Sequence, residues 1–208
     1  MRVMLVVDHP YTLASHRNIP HQRSFTAALA HAAQQGLIEA GHEVDVVDLH
    51  ADGFNPVMSA QDLASWRCGK VVDSQLVDYQ ARLDKANHVV FVFPIWWELM
   101  PAMTKGFLDR VMTKGIVYEQ GESLTNFMTS KLDNLKSVTL VSTMAEPDII
   151  YRLYFHSPVT KSMVRGTFKL MGVKKVKWHN YTGIANKTPD QRQRILESVR
   201  NRFRRMWR

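Results

Sequence analysis

The sequence predicts an α/β domain built on a parallel β-sheet with helices over both faces. Three observations predict it. Strand-like runs such as "VMLVV" at 3–7 and "VVFVF" at 89–93 are apolar throughout rather than alternating, as in strands covered on both sides. Segments with helical spacing of apolar residues lie between them, in the order βαβ(α)βαβαβα. Finally, 208 residues, 45% hydrophobic and 22% charged, suffice for one sizeable core and are short for two, so one domain is expected over 1–208.

Arg2 to Val7 reads as the first strand, ending at Asp8, followed by a polar loop through Arg23. Ser24 reads as the N-cap of the alanine-rich helix "FTAALAHAAQQGLIEA", which stops at Gly41. "HEVDVVDL" is the second strand. "HADGFNPVMSAQDLASWRCGK" carries turn signals without a clean period and reads as an ordered excursion. Residues 74–86 fit a helix with Leu76, Tyr79 and Leu83 on one side.

Val89 to Phe93 is the third strand, and a helix starts near Ala102. "EQGESLTNFMTSKLDNL" reads as a surface connection, and "KSVTLVST" as a fourth strand ending near Thr143. The loop "MAEPDIIYRLYFHSP" then leads to a helix over about Val159 to Met171, ended by Gly172. "VKKVKWHNY" is the fifth strand, and a basic helix over about 188–206 closes the chain. Five such strands point to a doubly wound sheet of the flavodoxin type, order 2-1-3-4-5, whose ligand sits at the carboxyl ends of the strands.

The formal charge of +8 is concentrated in the last segment, "NKTPDQRQRILESVRNRFRRMWR". Apolar Ile195, Val199, Phe203 and Met206 recur there at helical spacing, which favours a packed helix with a solvated basic face. The alternative is a docking surface for a membrane protein or an anionic lipid surface. No recognised nucleic-acid motif accompanies the basic residues, so no nucleic-acid partner is expected. Cys68 is the only cysteine, which excludes an intrachain disulfide and a cysteine-based metal cluster; the histidines have no metal-ligand spacing either. No apolar run approaches the roughly 20 residues of a membrane span, and Val3 to Val7 is too short for a signal peptide. A cytoplasmic location, peripheral to the inner membrane face if the basic helix docks there, is the expectation.

A sheet of this kind brings three loops to one crevice: 8–23, 94–101 and 143–157. The first lacks both G-x-G-x-x-G and a Walker A pattern. It offers instead the start of a helix at Ser24, Phe25 and Thr26, where unsatisfied amides and the helix dipole favour an anion, with His9, Arg17 and Arg23 to add charge. An ordinary Ser24 N-cap fits the spacing equally well. The second loop, "PIWWELMP", pairs flat apolar surface at Trp96 and Trp97 with rigid backbone at Pro94 and Pro101, as a flat heterocycle requires. Adjacent side chains on extended backbone point opposite ways, so Trp96 is expected on the ligand and Trp97 toward packing or a partner subunit. The third loop holds Tyr151, Tyr154 and His156, residue types that donate protons or hydrogen bonds to a reducing anion; exposed or interface aromatics fit equally.

"FPIWWELMPAMTKGFLDRVMTKGIVY" resembles the F-P-x-x-W-x-x-x-P-A-x-x-K-G-x-x-D-R-V segment of the NAD(P)H:quinone oxidoreductases. This family includes quinone reductases, modulators of drug activity and ancillary proteins of potassium efflux. "HP" after the first strand, "SFTAAL" opening the first helix and "DLHADGFNPVMS" after the second strand extend the resemblance over nearly the whole chain. It implies a flavodoxin-like homodimer with FAD or FMN bound, reduced by NADH or NADPH, which passes two electrons to a quinone in a ping-pong cycle. By position, the resemblance sets His9, Ser24 and Phe25 near the flavin phosphate or ribityl chain, Pro94, Ile95, Trp96 and Trp97 along the ring, and Thr143 at its edge. It matches Tyr118 to a tyrosine that in such dimers covers the substrate side of the partner's site, and Tyr151 and His156 to the pair that assists hydride transfer; Tyr154 of the third loop is a further substrate-side candidate. Two features depart from the family pattern. Met144 and Ala145 stand where the family often has glycines, and the His9-to-Ser24 gap is long, so that Ser15 competes with Ser24 as the phosphate ligand. A regulatory subunit of a membrane transport system that keeps the flavin-binding fold is the alternative function.

Overall fold

A computed structural model of the protein describes residues 1–17, 23–123 and 126–207. Five strands, β1 (Arg2–Val7), β2 (Glu43–Asp48), β3 (His88–Pro94), β6 (Ser137–Met144) and β7 (Lys175–Thr182), form one sheet in the order β2-β1-β3-β6-β7. Every pairing is parallel, with Val3 beside Val44 and His88, and Ser137 beside His88 and Lys175. Counted along the chain within this sheet, the order is the expected 2-1-3-4-5.

Strand pleating sorts the apolar runs into two cores. On one face Met4, Val6, Val89, Phe91, Phe93 and Leu140 pack with α3 (Ser74–Asp84), α4 (Ala102–Val111) and a π-helix (Thr160–Lys169). On the other, Val3, Leu5, Val7, Val90, Val92 and Val141 pack with α1 (Phe25–Glu39) and α6 (Pro189–Arg204). A continuous apolar run is therefore the correct signal for a strand buried on both sides. Val199 and Phe203 of α6 are fully buried and Ile195 and Met206 lean on the same core, so its basic residues lie along the outer side. Gly36 makes the α1–α6 approach possible, because a Cβ there would overlap the Arg200 carbonyl.

Four segments differ from the sequence reading. The polar stretch after α4 is not a bare connection: β4 (Tyr118–Ser123) and β5 (Asn126–Ser130) pair antiparallel as a separate two-stranded sheet. The excursion after β2 contains α2 (Ala60–Arg67), held by a Ser59–Asp62 capping box but burying none of its residues, which is why no apolar period marks it. The third loop contains a short helix, α5 (Asp148–Leu153). The segment after it winds as a π-helix, with the Leu170 amide donating to Arg165 five residues back, a difference that apolar spacing over ten residues does not resolve.

The excursion is clamped to α4 by two residues of the tryptophan-loop motif. Gly106 meets Pro56 so closely that any Cβ would overlap its backbone. Buried Arg110 donates to the Asn55 carbonyl, to Asp62 and to Asp73. No helix among the described residues is long and apolar enough to cross a membrane.

Candidate functional site

The chain leaves β1 toward one face of the sheet, through α1, and leaves β3 toward the other, through α4. A crevice opens between such divergent connections at the carboxyl ends of the strands. Here it measures about 340 Å³, within the range of small-molecule sites. His9, Arg23, Ser24, Phe25 and Thr26 line it from the first loop, Pro94, Ile95 and Trp96 from the second, and Thr143, Met144 and Ala145 from the third. Ile184 and Ala185, in the 3-10 turn Ile184–Asn186 after β7, form a fourth wall the sequence reading did not include. Their only sequence signal is position, just beyond the carboxyl end of an edge strand. Arg192 of α6 donates to both of their carbonyls.

Short polar contacts stitch the walls together. The Ile95 amide donates to the Thr143 carbonyl at 2.8 Å, and the Thr143 and Thr26 hydroxyls share a hydrogen bond of 2.7 Å. Ser24, in extended conformation, accepts from the Ala27 amide at 3.1 Å and is the N-cap of α1. It is a cap and a crevice residue at once, and helix geometry leaves the Phe25 and Thr26 amides without intrahelical acceptors. Ser15 is buried, donates to the Thr12 carbonyl and does not line the crevice. His9 accepts the Tyr11 amide at Nδ1, so its neutral ring carries the proton on Nε2. Burial, then His50, push its pKa below the ordinary histidine value against the pull of Asp8 and Asp48, which favours that neutral form.

Beside it, Asp8 is buried and does a different task. Its Oδ2 accepts from the Thr104 amide at 2.8 Å and hydroxyl at 2.6 Å, and its Oδ1 faces His50 Nε2 at 3.1 Å. Since the N-cap residue of α4, Pro101, offers no side-chain cap, the carboxylate of Asp8, just past the end of β1, caps the helix instead. Sequence spacing carries no trace of a cap supplied from 96 residues away.

The tryptophan loop closes in a two-residue turn. Trp96 and Leu99 exchange both amide–carbonyl bonds, at 3.0 and 3.1 Å, and the central Trp97 and Glu98 have φ of 49° and 67°. That backbone normally takes Asn or Gly, and each side chain there costs on the order of 1 kcal/mol. Trp96 is 45% exposed against the crevice. Trp97 is 98% exposed: it does not pack on the following helix.

The aromatic residues of the third loop are not brought to the crevice. Tyr151 is fully buried; its hydroxyl donates to the Glu98 carbonyl at 2.9 Å and accepts from the Val159 amide at 3.0 Å, and burial pushes its pKa up to about 12. Helix α5, which follows Pro147, sets Tyr151 inward against Trp178. His156 is exposed at φ 57°, and Tyr154 is exposed, packed edge-on against Phe155. Tyr118 lies instead on a second, apolar groove of about 340 Å³ between α4, the β4–β5 hairpin and the π-helix, with Leu99, Met112, Met128 and Met171.

A family model described as flavodoxin-like fold matches residues 1–206. An uncharacterised NAD(P)H oxidoreductase of Escherichia coli, YcaK, is 36% identical over 106 residues, which span 50% of this chain and 54% of that relative, about half its length. An NAD(P)H:quinone oxidoreductase from Methanothermobacter marburgensis superposes with a TM-score of 0.82 over 99% of this chain and 98% of that one, at 22% identity. An FMN-dependent NADH-azoreductase from Bacillus anthracis, solved with FMN, superposes at 0.77 over 100% and 99%, at 14% identity.

Proposed function

The chain belongs to the family of flavodoxin-like fold, and from that premise we propose that it is a flavin-dependent NAD(P)H oxidoreductase whose acceptor is a quinone. The observation that carries this reading is the crevice: a helix N-terminus at one end, a flat indole and stiff backbone at the other, and four loops around it. The quinone assignment draws on the resemblance in the tryptophan loop, and the oxidoreductase class on the name of the relative YcaK.

The donor set fits a phosphorylated flavin. The Phe25 and Thr26 amides, His9 Nε2 and Arg23 would hold the phosphate, with the α1 dipole adding to their field. Pro94, Ile95 and Trp96 would flank the ring system, and Thr143 would meet its edge. These groups fit FMN and the FMN half of FAD alike. The flavin, when bound, supplies the two-electron chemistry. The protein's part is placement: Trp96 covers ring surface and the four walls exclude water. The nicotinamide donor and the acceptor would use the one remaining open side in turn, a ping-pong order. A second copy of the chain would cover Trp97, which stands exposed with Trp96 and Leu99 on the same turn.

The test is direct. The purified protein should be yellow, release FMN or FAD on denaturation, and bleach anaerobically with NADH or NADPH. Colourless protein that takes up neither flavin overturns the reading.

A further inference from the structure

Glu98 occupies the second central position of the strained turn, one residue past exposed Trp97 and two past Trp96 on the crevice wall. Glutamate has no conformational reason to be there, since the turn favours glycine or asparagine. Its backbone is fixed: the Tyr151 hydroxyl holds its carbonyl, and the Val159 amide in turn holds Tyr151. Its carboxyl is not satisfied. Oε2 is shut off from solvent and has no hydrogen-bond partner among the described residues. The charge of Glu146, the residue after crevice residue Ala145, acts on it. A carboxylate with one oxygen closed off from water and unpartnered, in the field of a second carboxylate, is disfavoured relative to the neutral acid. Strain and an acid with an unpartnered oxygen, two residues past a crevice wall, mark a group kept for chemistry.

We propose that Glu98 is the acid at the mouth of the crevice that delivers the proton completing reduction of the acceptor. The proposal deepens the oxidoreductase reading and rests on it. Reduction of a quinone to a hydroquinone takes two electrons and two protons. A bound flavin would supply the electron pair with one proton, as hydride, and be oxidised in doing so. The second proton comes from Glu98: its O–H bond breaks, an O–H bond forms on the acceptor oxygen, and the carboxylate left behind regains a proton from water before the next turnover. Burial, then Glu146, push the Glu98 carboxyl above the ordinary glutamate value, which keeps the acid form available. Tyr151, whose hydroxyl holds the Glu98 carbonyl, has Arg152 and Asp148 of α5 around it in turn. With Tyr151 locked by backbone and His156 turned out, Glu98 is the acid that the turn holds two residues past the Trp96 wall.

The test has one arm that does not depend on turnover. Carboxyl-carbon NMR of the flavin-loaded wild-type protein should show Glu98 titrating above the free glutamate value, with a midpoint that falls in Glu146→Gln. In the second arm, reoxidation of the pre-reduced protein by a soluble benzoquinone should slow as pH rises through that same midpoint. In Glu98→Gln the rate should drop about 100-fold and lose this pH limb, while Glu98→Asp should restore part of the rate and a displaced limb. A Glu98 that titrates at the free value, or a limb that survives unchanged in Glu98→Gln, overturns the proposal with the oxidoreductase reading intact. Wild-type protein that NAD(P)H does not reduce overturns the reading itself, and this proposal with it.

Discussion

Tyr151 shows how residue type and residue role part company. Its spacing to His156 suits a proton-donating pair, yet both of its hydrogen bonds go to backbone inside the core. The expected effect of Tyr151→Phe is therefore on stability: the Val159 amide loses its acceptor in a buried place, at about 1–3 kcal/mol in urea denaturation. A slowed flavin reduction without lost stability would restore the catalytic role. His88 is the other telling residue, a polar side chain in a strand that is otherwise apolar. Its Nδ1 contacts the Ser137 hydroxyl at 2.8 Å, Trp207 stacks on it at 3.7 Å, and its Nε2 has no partner among the described residues. Burial, with His42, Lys136, the N-terminus and Lys175 around it, lowers its pKa from 6.5 to about 4. The unfolded chain then binds a proton between these values that the folded chain refuses. Stability from this group is full above pH 6.5 and falls as pH drops toward 4, by about 3 kcal/mol. His88→Gln should lessen the slope across that window, leaving the share of His179, whose pKa burial also lowers to about 4; an unchanged slope would show that His88 does not contribute.

Among the elements, α4 and α6 are held by contacts that no local pattern announces. Asp8, just past the end of β1, caps α4 and so fixes the end of the tryptophan loop. Asp8→Ala leaves the Thr104 amide and hydroxyl and the His50 ring without their acceptor, and should cost about 3 kcal/mol by denaturant titration. Flavin affinity should fall with it, because the second wall of the crevice hangs from that helix. Gly36→Ala should cost about 2 kcal/mol by pushing α6 off α1 against the Arg200 carbonyl. A neutral result would mean the two helices are not packed as close as Gly36 allows. The main-sheet strands and α1, α3, α4 and α6 were legible because each buries an apolar run or stripe. The hairpin β4–β5, α2 and α5 were not, because polar strands and helices with little or no buried surface carry no period for a sequence reading to find.

For the whole molecule, Trp97 is the open account: an indole 98% exposed, on a turn whose backbone is strained to hold it there. A second copy of the chain is the partner we propose for it, so the protein should sediment as a dimer, and Trp97→Ser should weaken self-association at least about 10-fold. A monomeric wild-type protein would remove that role. The same scale explains the basic helix. Its apolar stripe is spent on α1 and the sheet, so its charge faces outward as the spacing of Ile195, Val199 and Phe203 required.

By itself the sequence determined the parallel sheet, its strand order and the three loops that meet at its carboxyl edge, because buried strands and amphipathic helices write their environment into adjacent residues. It also marked Ser24 and Trp96 as crevice candidates, since a helix start and a proline-bounded aromatic turn are local signals. Only the tertiary structure decided which side chains turn toward the crevice. Tyr151 goes to the core, Ile184 and Ala185 become a wall, Asp8 becomes a cap and Glu98 is left with an unpartnered oxygen two residues past the Trp96 wall. Those outcomes depend on partners dozens of residues away, and hydrogen-bond satisfaction across such distances leaves no period or motif in the chain.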